Sequence, residues 1–419
     1  MILLNFFLKK LIQEGTLHVI DVKGRTYSYR GTATPEVTIR LHDRWLPFKI
    51  FLKPDLRPGE AIMDGTLTIE DGKTVFDFLN LVTKNMEWRR NNPMHFTGGD
   101  PYSRFKSWIS QINPAGRSRQ NVAHHYDLSG KLYDLFLDAD RQYSCAYFRT
   151  PEDTLEQAQE NKKSLIAAKL LLDKHHKVLD IGCGWGGLAL HINQTSGAHV
   201  TGVTLSKEQY DLACKRAEDR SVSDMVQFKF QDYRSLTEKF DRVVSVGMFE
   251  HVGRRQYKTY FDKVYDSLTD DGVALIHTIG RADGPGSTDP WTLKYIFPGG
   301  YAPSLSEIAP IIEKSGLYIT DMEVWRLHYA DTLREWRLRT YKNRDAIVEL
   351  YDERFFRMWD FYLSSAECAF RHLGHVVFQL QLAKRQDAVP LTREYLLQDT
   401  DIKQEIPPLE PPLKNVANQ

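Results

Sequence analysis

The chain has 419 residues, which allows two or three domains, and its 42% apolar and 26% charged residues are ordinary for a globular protein. Lys plus Arg and Asp plus Glu both number 55, so the overall charge argues against wholesale binding of nucleic acid. The four cysteines, Cys145, Cys183, Cys214 and Cys368, lack the spacing of a zinc site, so we expect no metal and a reducing compartment.

The N-terminal segment, "MILLNFFLKKLIQEG", is apolar but does not resemble a signal peptide, because no small-residue cleavage site follows it. No stretch of the sequence is long enough and apolar enough to span a bilayer. With helical periodicity, Leu3, Phe6, Phe7 and Ile12 fall on one side. That side either docks on the protein core or dips into a membrane surface.

Residues 16–75 have the pattern of short strands, because apolar and polar residues alternate between Gly, Pro and Asp breaks. The predicted strands are "LHVIDVKG", "TYSYRG", "EVTIRLHD" and "FKIFLKP". The segment "TVFDFLNLVTKNMEW" follows as an amphipathic helix. We therefore predict a small β-rich N-terminal domain over residues 1–90, without a catalytic motif.

Residues 84–119 are basic and aromatic. Seven positive and two negative side chains give a local balance of +5, and five aromatic residues interleave with them. The segment, which overlaps a predicted linker over residues 91–120, is either a solvated connection or lies on an anionic lipid surface. Single-stranded nucleic acid would use the same residue types, but nothing else in the sequence supports it.

From about residue 156, helices and strands alternate. The predicted strands include "KVLDIG", "AHVTGVTL", "VQFKFQD", "DRVVSVG" and "GVALIHTIG", with amphipathic helices between them. This alternation predicts an α/β fold with a doubly wound sheet, over residues 121–390. Beyond residue 330 we predict aromatic helices that continue through "HVVFQLQLAK", and a disordered tail over residues 391–419.

The stretch "VLDIGCGWGG" lies where the first strand of this sheet meets a helix. Gly182, Gly184 and Gly187 match the dinucleotide pattern G-x-G-x-x-G. A nicotinamide enzyme also needs a carboxylate at the end of the second strand, for the ribose. Here that strand ends in Thr204 and Leu205, so the nucleotide interpretation is disfavoured.

Asp180, which ends the first strand just before the glycines, changes the interpretation. A carboxylate at this place is typical of S-adenosylmethionine-dependent methyltransferases, whose cofactor carries a sulfonium and an ammonium group but no phosphate. The alternative is that Asp180 only caps the helix. With the glycine loop beside it, we favour a class I methyltransferase site.

Eight stretches together, in order from about residue 121 to 385, resemble the cyclopropane-fatty-acyl-phospholipid synthases, whose relatives include the mycolic acid cyclopropane synthases. They are "NVAHHYDLSGKLYDLFLD", "QYSCAYF", "VLDIGCGWGG", "GVTLSKEQ", "FDRVVSVGMFEHVG", "HTIGR", "YIFPGGYAPS" and "HYADTLREW". The resemblance implies a Rossmann-like class I methyltransferase domain with extra C-terminal helices, preceded by a lipid- or membrane-associated N-terminal domain.

In that family a methyl group passes from S-adenosylmethionine to a cis double bond of an acyl chain, and a bound bicarbonate ion removes a proton so that the ring closes. The resemblance implies that five residues form the bicarbonate cage: Cys145, Glu250, His277, Ile279 and Tyr329. Cys145 would help to seat the anion and would not be a nucleophile. From the residues alone, Cys145 could equally be a small buried hydrophobe and His277 a core histidine.

The resemblance also implies the cofactor contacts: Tyr143, Ser144, Asp180, Gly182, Gly184, Thr204, Leu205, Gln209, Asp232 and Tyr233. The aromatic C-terminal helices either line an acyl channel or form ordinary core.

The implied substrate is a membrane phospholipid with a cis-unsaturated acyl chain, met by a cytoplasmic enzyme at the inner face of the membrane. Two-domain members of the family are often homodimers, although no interface is legible in the sequence. A methyl-branched or methylene product, a sphingolipid acceptor and a catalytically silent lipid-binding scaffold stay open as alternatives.

Overall fold

A computed structural model describes residues 1–86 and 129–396, and it contains two β-sheets. Most of the basic aromatic segment, including the whole predicted linker over 91–120, lies outside these residues. So do residues 397–419 of the tail predicted over 391–419, while the described residues Arg393–Leu396 form a short 3-10 turn.

The smaller sheet has four strands in the order β2-β1-β3-β4. Strand β1 pairs antiparallel with β2 and parallel with β3. Alternate side chains of β1, including Leu17 and Val19, are buried, as expected for a sheet with one face on the core. The strands are β1 (Glu14–Ile20), β2 (Thr26–Arg30), β3 (Thr32–Leu41) and β4 (Leu67–Ile69).

Four helices accompany this sheet: α1 (Ile2–Leu11), α2 (Leu46–Leu52), α3 (Arg57–Met63) and α4 (Val75–Lys84). The prediction of a strand for "FKIFLKP" is wrong, because α2 occupies this segment. Pro47 stands in the first turn, where a helix tolerates proline, and Leu46 and Ile50, four residues apart, are both buried.

Helix α1 buries a different face from the one that the sequence suggested. Three leucines spaced four and three residues apart face the core: Leu4, Leu8 and Leu11. Leu3 and Phe6 are exposed, whereas Ile12, which we had grouped with them, is buried. The helix therefore docks on the core and still presents apolar side chains to solvent.

The larger sheet has seven strands in the order β10-β11-β9-β8-β5-β6-β7. Strands β5 to β9 pair in parallel, and β11 runs antiparallel between β9 and β10. This arrangement confirms the predicted α/β methyltransferase-like fold class. The strands are β5 (Lys177–Ile181), β6 (His199–Thr204), β7 (Val226–Phe230), β8 (Phe240–Val246), β9 (Leu268–Arg281), β10 (Tyr318–Trp325) and β11 (His375–Ala383).

The helices around this sheet include some with side-chain caps, such as the capping box of Thr154 and the simple cap of Ser206. They are α5 (Gly130–Phe136), α6 (Leu155–Lys169), α7 (Gly187–Ser196), α8 (Lys207–Asp219), α9 (Tyr257–Ser267), α10 (Pro290–Tyr295), α11 (Leu305–Ile312), α12 (His328–Lys342), α13 (Arg344–Leu350) and α14 (Glu353–His372).

The predicted helical continuation through "HVVFQLQLAK" is wrong, because these residues form strand β11. Gly374, with φ of +75°, separates α14 from the strand. Residues 376–383 are all buried, since β11 lies between two neighbours in a sheet covered on both faces. Between Val376 and Ala383 only Gln379 and Gln381 are polar, and such a short, mostly apolar segment directly after a helix is hard to assign from periodicity.

The N-terminal and C-terminal portions share one core. Helix α14 packs against α3, α4 and α12. Arg337 of α12 donates to the buried Glu367 of α14 at 3.0 Å, and its guanidinium lies 4.3 Å from the Phe76 ring centre in α4. Helix α4 is therefore held against the methyltransferase portion by both apolar and charged contacts.

Candidate active site

Two cavities meet at the carboxyl ends of the parallel strands, where doubly wound sheets bind their ligands. All ten predicted cofactor residues line the first cavity, and all five predicted cage residues line the second. Four residues line both cavities: Tyr143, Ser144, Gly247 and His251. A group bound in one cavity would therefore lie directly beside a group bound in the other.

The glycine loop after β5 forms one wall of the first cavity. Gly182 and Gly184 have φ of +81° and +54°, a region that side chains with a Cβ rarely adopt. A Cβ on Gly182 would also come within 3.0 Å of Met248. The loop thus gives a ligand close access to the backbone at the start of α7.

Asp180 lies one residue before the end of β5 and is only 1% exposed. Its Oδ2 atom has no hydrogen-bond partner among the residues that the structure describes. Burial raises the pKa of the carboxyl to about 7, although the charge of Lys162 opposes this shift. A buried, unpaired carboxylate that lines a cavity fits a cationic ligand, so the site matches the ammonium and sulfonium groups of S-adenosylmethionine.

Polar residues at the far side of the first cavity are already bonded to one another. Thr204 Oγ1 donates to Gln209 Oε1 at 2.9 Å. The Asp232 carboxylate accepts three hydrogen bonds from Arg234: from its backbone N–H at 3.0 Å, from Nε at 2.9 Å and from a terminal nitrogen at 2.6 Å. Arg234, which lines the same cavity, is a residue that the sequence analysis did not single out.

The loop that carries Cys145 is fixed by two helices. Gln159 of α6 donates its side-chain N–H to the Ser144 carbonyl at 3.0 Å, and the Ala146 N–H donates to Thr332 Oγ1 of α12 at 3.0 Å. Cys145 is fully buried, and its thiol donates to the Ala146 carbonyl at 3.3 Å. Burial raises the pKa of this thiol, so it stays neutral and is a poor nucleophile.

Glu250 lies in a 3-10 turn, Phe249–His251, just after β8. Its Oε1 accepts the Ile279 backbone N–H at 2.5 Å, and its enclosed Oε2 has no partner among the described residues. Burial raises the pKa of the carboxyl to about 7, while the bond from Ile279 acts in the opposite direction. The Ile279 N–H thus positions Glu250, whose second oxygen is left for a ligand.

His277 is buried in β9, and its protonation is fixed by its neighbours. Gln379 of β11 donates to His277 Nδ1 at 3.0 Å, and the Gln379 carbonyl oxygen accepts from Lys169 at 2.6 Å. Because Lys169 can only donate, the amide orientation follows, and the proton of the neutral imidazole stands on Nε2. Burial lowers the pKa of His277 well below its ordinary value, so the ring is a neutral donor.

Lys162 of α6 is a buried cation that the sequence analysis missed. It donates to Gln142 Oε1 at 2.7 Å and to Ser144 Oγ at 2.8 Å. Burial lowers the pKa of Lys162 to about 8. Its positive charge partly offsets the rise that burial causes in the pKa of Asp180 and of Cys145. The sequence contains one indication of this burial, because Lys162 lies four residues before Ile166 and so on the same, buried face of α6.

The second cavity has a volume of about 550 Å³ and mostly apolar walls. Leu79 and Val82 of α4 and Phe361 of α14 line it, so the N-terminal portion contributes directly. The ring of Tyr329 packs at 4.8 Å from that of Phe370 near the cage residues. Among the aromatic side chains of α14, Phe361, Tyr362 and Phe370 line the cavity.

Among residues 1–86 and 129–396, no group of three or more His, Cys, Asp and Glu side chains is arranged to hold a metal ion. In the same residues, no helix has the length and apolar character needed to cross a membrane.

A family model described as mycolic acid cyclopropane synthetase matches residues 114–380. The chain belongs to this family. It is thus an S-adenosylmethionine-dependent methyltransferase, and the resemblance stated from the sequence is confirmed.

Relatives of known name support the same conclusion. The cyclopropane-fatty-acyl-phospholipid synthase of Escherichia coli K12 is 44% identical over 261 residues, which are 61% of this chain and 66% of that enzyme. A probable fatty acid methyltransferase of Pseudomonas putida is 39% identical over 285 residues, 65% of this chain and 72% of the relative. A solved mycolic acid cyclopropane synthase, in complex with SAH and CTAB, has a TM-score of 0.60 at 30% identity and covers 65% of this chain and 99% of its own.

Proposed function

We propose that this member of the cyclopropane synthetase family transfers a methylene group from S-adenosylmethionine to the cis double bond of an unsaturated acyl chain in a membrane phospholipid, forming a cyclopropane. The observation that carries the proposal is the wall shared by the two cavities. The unpaired Asp180 carboxylate lines the cavity on one side of this wall. The cage residues line the mostly apolar cavity on the other side.

When bound, S-adenosylmethionine supplies an electrophilic methyl group, and bicarbonate supplies a base of suitable strength. The alkene itself is the nucleophile, so no side chain has to activate it. Asp180 holds the cationic cofactor, while Gly182 and Gly184 let it approach the backbone. These residues act by binding and orientation alone.

The cage residues hold and orient an anion. His277 donates from Nε2, the atom left after Gln379 has occupied Nδ1. The Oε2 atom of Glu250 would accept a hydrogen bond from the hydroxyl of bound bicarbonate, and the Ile279 N–H holds that carboxyl in place. Cys145, as a neutral buried thiol, completes the wall of the cage.

The remaining walls protect the carbocation that attack leaves on the acyl chain. The face of the Tyr329 ring stabilises positive charge nearby. The apolar side chains of the second cavity, among them Leu79 and Phe361, exclude water that would otherwise intercept the cation. The enzyme would work at the inner face of the membrane, where its phospholipid substrate lies.

Mass spectrometry of a reconstituted reaction tests this proposal. The purified full chain would be mixed with methyl-labelled S-adenosylmethionine and vesicles of cis-unsaturated phospholipid, with and without bicarbonate. We expect labelled lipid heavier by one CH₂, resistant to hydrogenation and dependent on bicarbonate. Labelled lipid that forms equally well without bicarbonate would contradict the proposed binding of bicarbonate by the cage residues.

A second candidate is a methyl-branched or methylene lipid product, with which the name of the Pseudomonas putida relative, a probable fatty acid methyltransferase, is compatible. The same carbocation would then lose a different proton. Hydrogenation distinguishes the two, because a methylene product is still reduced and a cyclopropane is not. The silent-scaffold alternative predicts no binding of S-adenosylmethionine, and calorimetry decides that point.

A further inference from the structure

We infer that helices α1 and α2 form the face by which this protein docks on an anionic lipid surface. We call it the docking face and define it by Ile2, Leu3, Phe6, Trp45, Phe48, Phe51 and Leu52. The inference rests on the proposed function for its substrate, but the contacts that carry it are separate from the catalytic site.

The docking face is an apolar surface left in solvent. Helices α1 and α2 contact each other, and each buries one side against the core. On their other sides Ile2 is 87% exposed, Phe6 62%, Trp45 57% and Leu52 60%. Exposed aromatic and aliphatic side chains on neighbouring helices are the pattern of an interfacial membrane contact.

The charge around the docking face fits an anionic surface. Residues 1–12 and 43–55 carry five Lys and Arg and two Asp, for a net charge of +3. Lys10 lies over the Phe6 ring at 4.3 Å, and Arg44 lies over the Trp45 ring at 5.0 Å. Positive groups beside rings would meet lipid phosphates at the depth where the rings enter the headgroup layer.

The acyl cavity reaches the surface next to this face. Pro54 and Asp55, two and three residues after α2 ends, are exposed and line the second cavity. The same cavity is also lined by Glu250 and by His277, which is buried. A protein resting on its docking face would thus place the cavity mouth at the membrane and the cage residues away from it.

The continuity of this face with the acyl cavity favours a lipid surface over a second protein copy as its occupant. A lipid chain that leaves the bilayer beside α2 would enter the cavity without crossing water, whose contact with apolar chains is costly.

Vesicle flotation of the full chain tests the inference. We would compare vesicles of phosphatidylglycerol with vesicles of phosphatidylcholine, using the wild type, Phe6→Ser/Phe48→Ser and Lys9→Ala/Lys10→Ala. The aromatic variant should lose about tenfold or more in partitioning to phosphatidylglycerol. The lysine variant should lose roughly fivefold for each charge removed at low ionic strength. The wild type should bind phosphatidylcholine much more weakly.

Leu338→Ser is the matched control, because Leu338 is 50% exposed on α12, outside the docking face. It should float like the wild type, and circular dichroism would verify folding of every variant. The aromatic variant should keep its rate on detergent-dispersed lipid and lose it on vesicles.

Flotation needs no turnover, so the docking result stands even if no lipid product forms. Unchanged flotation of the aromatic variant would overturn the inference. Equal binding to both vesicle types would overturn the inference that the lipid surface must be anionic. A change from dimer to monomer in light scattering, with flotation unchanged, would assign the face to a second copy instead.

Discussion

Asp180 and Glu250 are two buried carboxyls with raised pKa values of about 7, and they line different cavities. In each, one oxygen has no hydrogen-bond partner among the described residues. Burial disfavours the charged form of both carboxyls, so each ionises readily only when a bound ligand offsets the lost hydration. Their ligands would differ, since Asp180 suits a cation and Glu250 suits a proton donor.

For Asp180 this predicts pH-dependent cofactor binding. The free protein holds the carboxyl protonated below its pKa of about 7, but a cationic ligand needs the ionised form. The affinity for S-adenosylmethionine should thus fall about tenfold per pH unit as the pH drops below that value. Calorimetry across this range measures it. Asp180→Asn should bind weakly at every pH, and a variant that kept the wild-type slope would contradict the assignment.

Glu250→Gln should leave cofactor affinity nearly unchanged and lower turnover by about a hundredfold or more, on the scale of positioned acid–base groups. An amide oxygen can still accept from the Ile279 N–H, so the local geometry is preserved. Single-turnover kinetics and calorimetry on the same preparation measure the two quantities. Turnover near the wild-type rate would remove Glu250 from the mechanism.

Gln379 is a positioning residue, and its role can be separated from a merely structural one. A carboxylate at this position would accept from His277 Nδ1, so the imidazole proton would leave Nε2. Gln379→Glu should therefore lower turnover by roughly tenfold or more, with cofactor affinity unchanged. Nitrogen NMR of labelled histidine should show the proton on Nε2 in the wild type and on Nδ1 in the variant.

Gln381→Glu is the control for that experiment. Gln381 lies on the same strand and donates to the Lys169 carbonyl at 2.7 Å, not to His277. It should leave the His277 resonance unchanged. An unchanged His277 signal in Gln379→Glu would contradict the tautomer assignment.

At the scale of elements, helices α4, α12 and α14 tie the N-terminal portion to the methyltransferase sheet. Glu367 accepts from Arg337 at 3.0 Å and from Arg371 at 2.9 Å, and it is almost fully buried. Removing one partner of a buried pair leaves an uncompensated charge, which costs more than the pair itself contributes. The acyl cavity shares these helices, so their stability bears on substrate binding.

Glu367→Gln should lower the free energy of unfolding by about 3 kcal/mol or more. Glu353→Gln is the matched control, because Glu353 and its partner Arg344 are both more than 40% exposed. That change should cost less than about 1 kcal/mol, since water screens an exposed pair. Urea titration followed by circular dichroism compares the two variants, and equal costs would contradict the buried-pair argument.

The elements that the sequence predicted well are those with a clear period. The parallel strands β5 to β9 and the amphipathic helices between them follow from the alternation of the strand and helix patterns. Helix α2 and strand β11 do not, because α2 has only seven residues and β11 is buried on both faces. In both cases local pattern is ambiguous, and the tertiary environment decides.

At the scale of the whole molecule, the residues that the resemblance implied, spread from Tyr143 to Tyr329, line two adjoining cavities. The sequence could not predict the buried side chains that hold these lining residues in place. Lys162 and Gln379 belong to no recognisable motif, and their importance follows from side chains brought together by the fold. Roles assigned to the cage and cofactor residues stay predictions until the variants are measured.

The shared wall of the two cavities has a kinetic consequence. Cofactor and acyl chain occupy separate spaces that adjoin at Tyr143, Ser144, Gly247 and His251. On the proposed function, spent cofactor can leave and be replaced while the protein stays on the same vesicle. Many lipids would then be converted during each binding event of the protein to a vesicle. The rate would follow the mole fraction of unsaturated lipid in the bilayer, and it would fall when that lipid is diluted with a saturated one at constant bulk concentration.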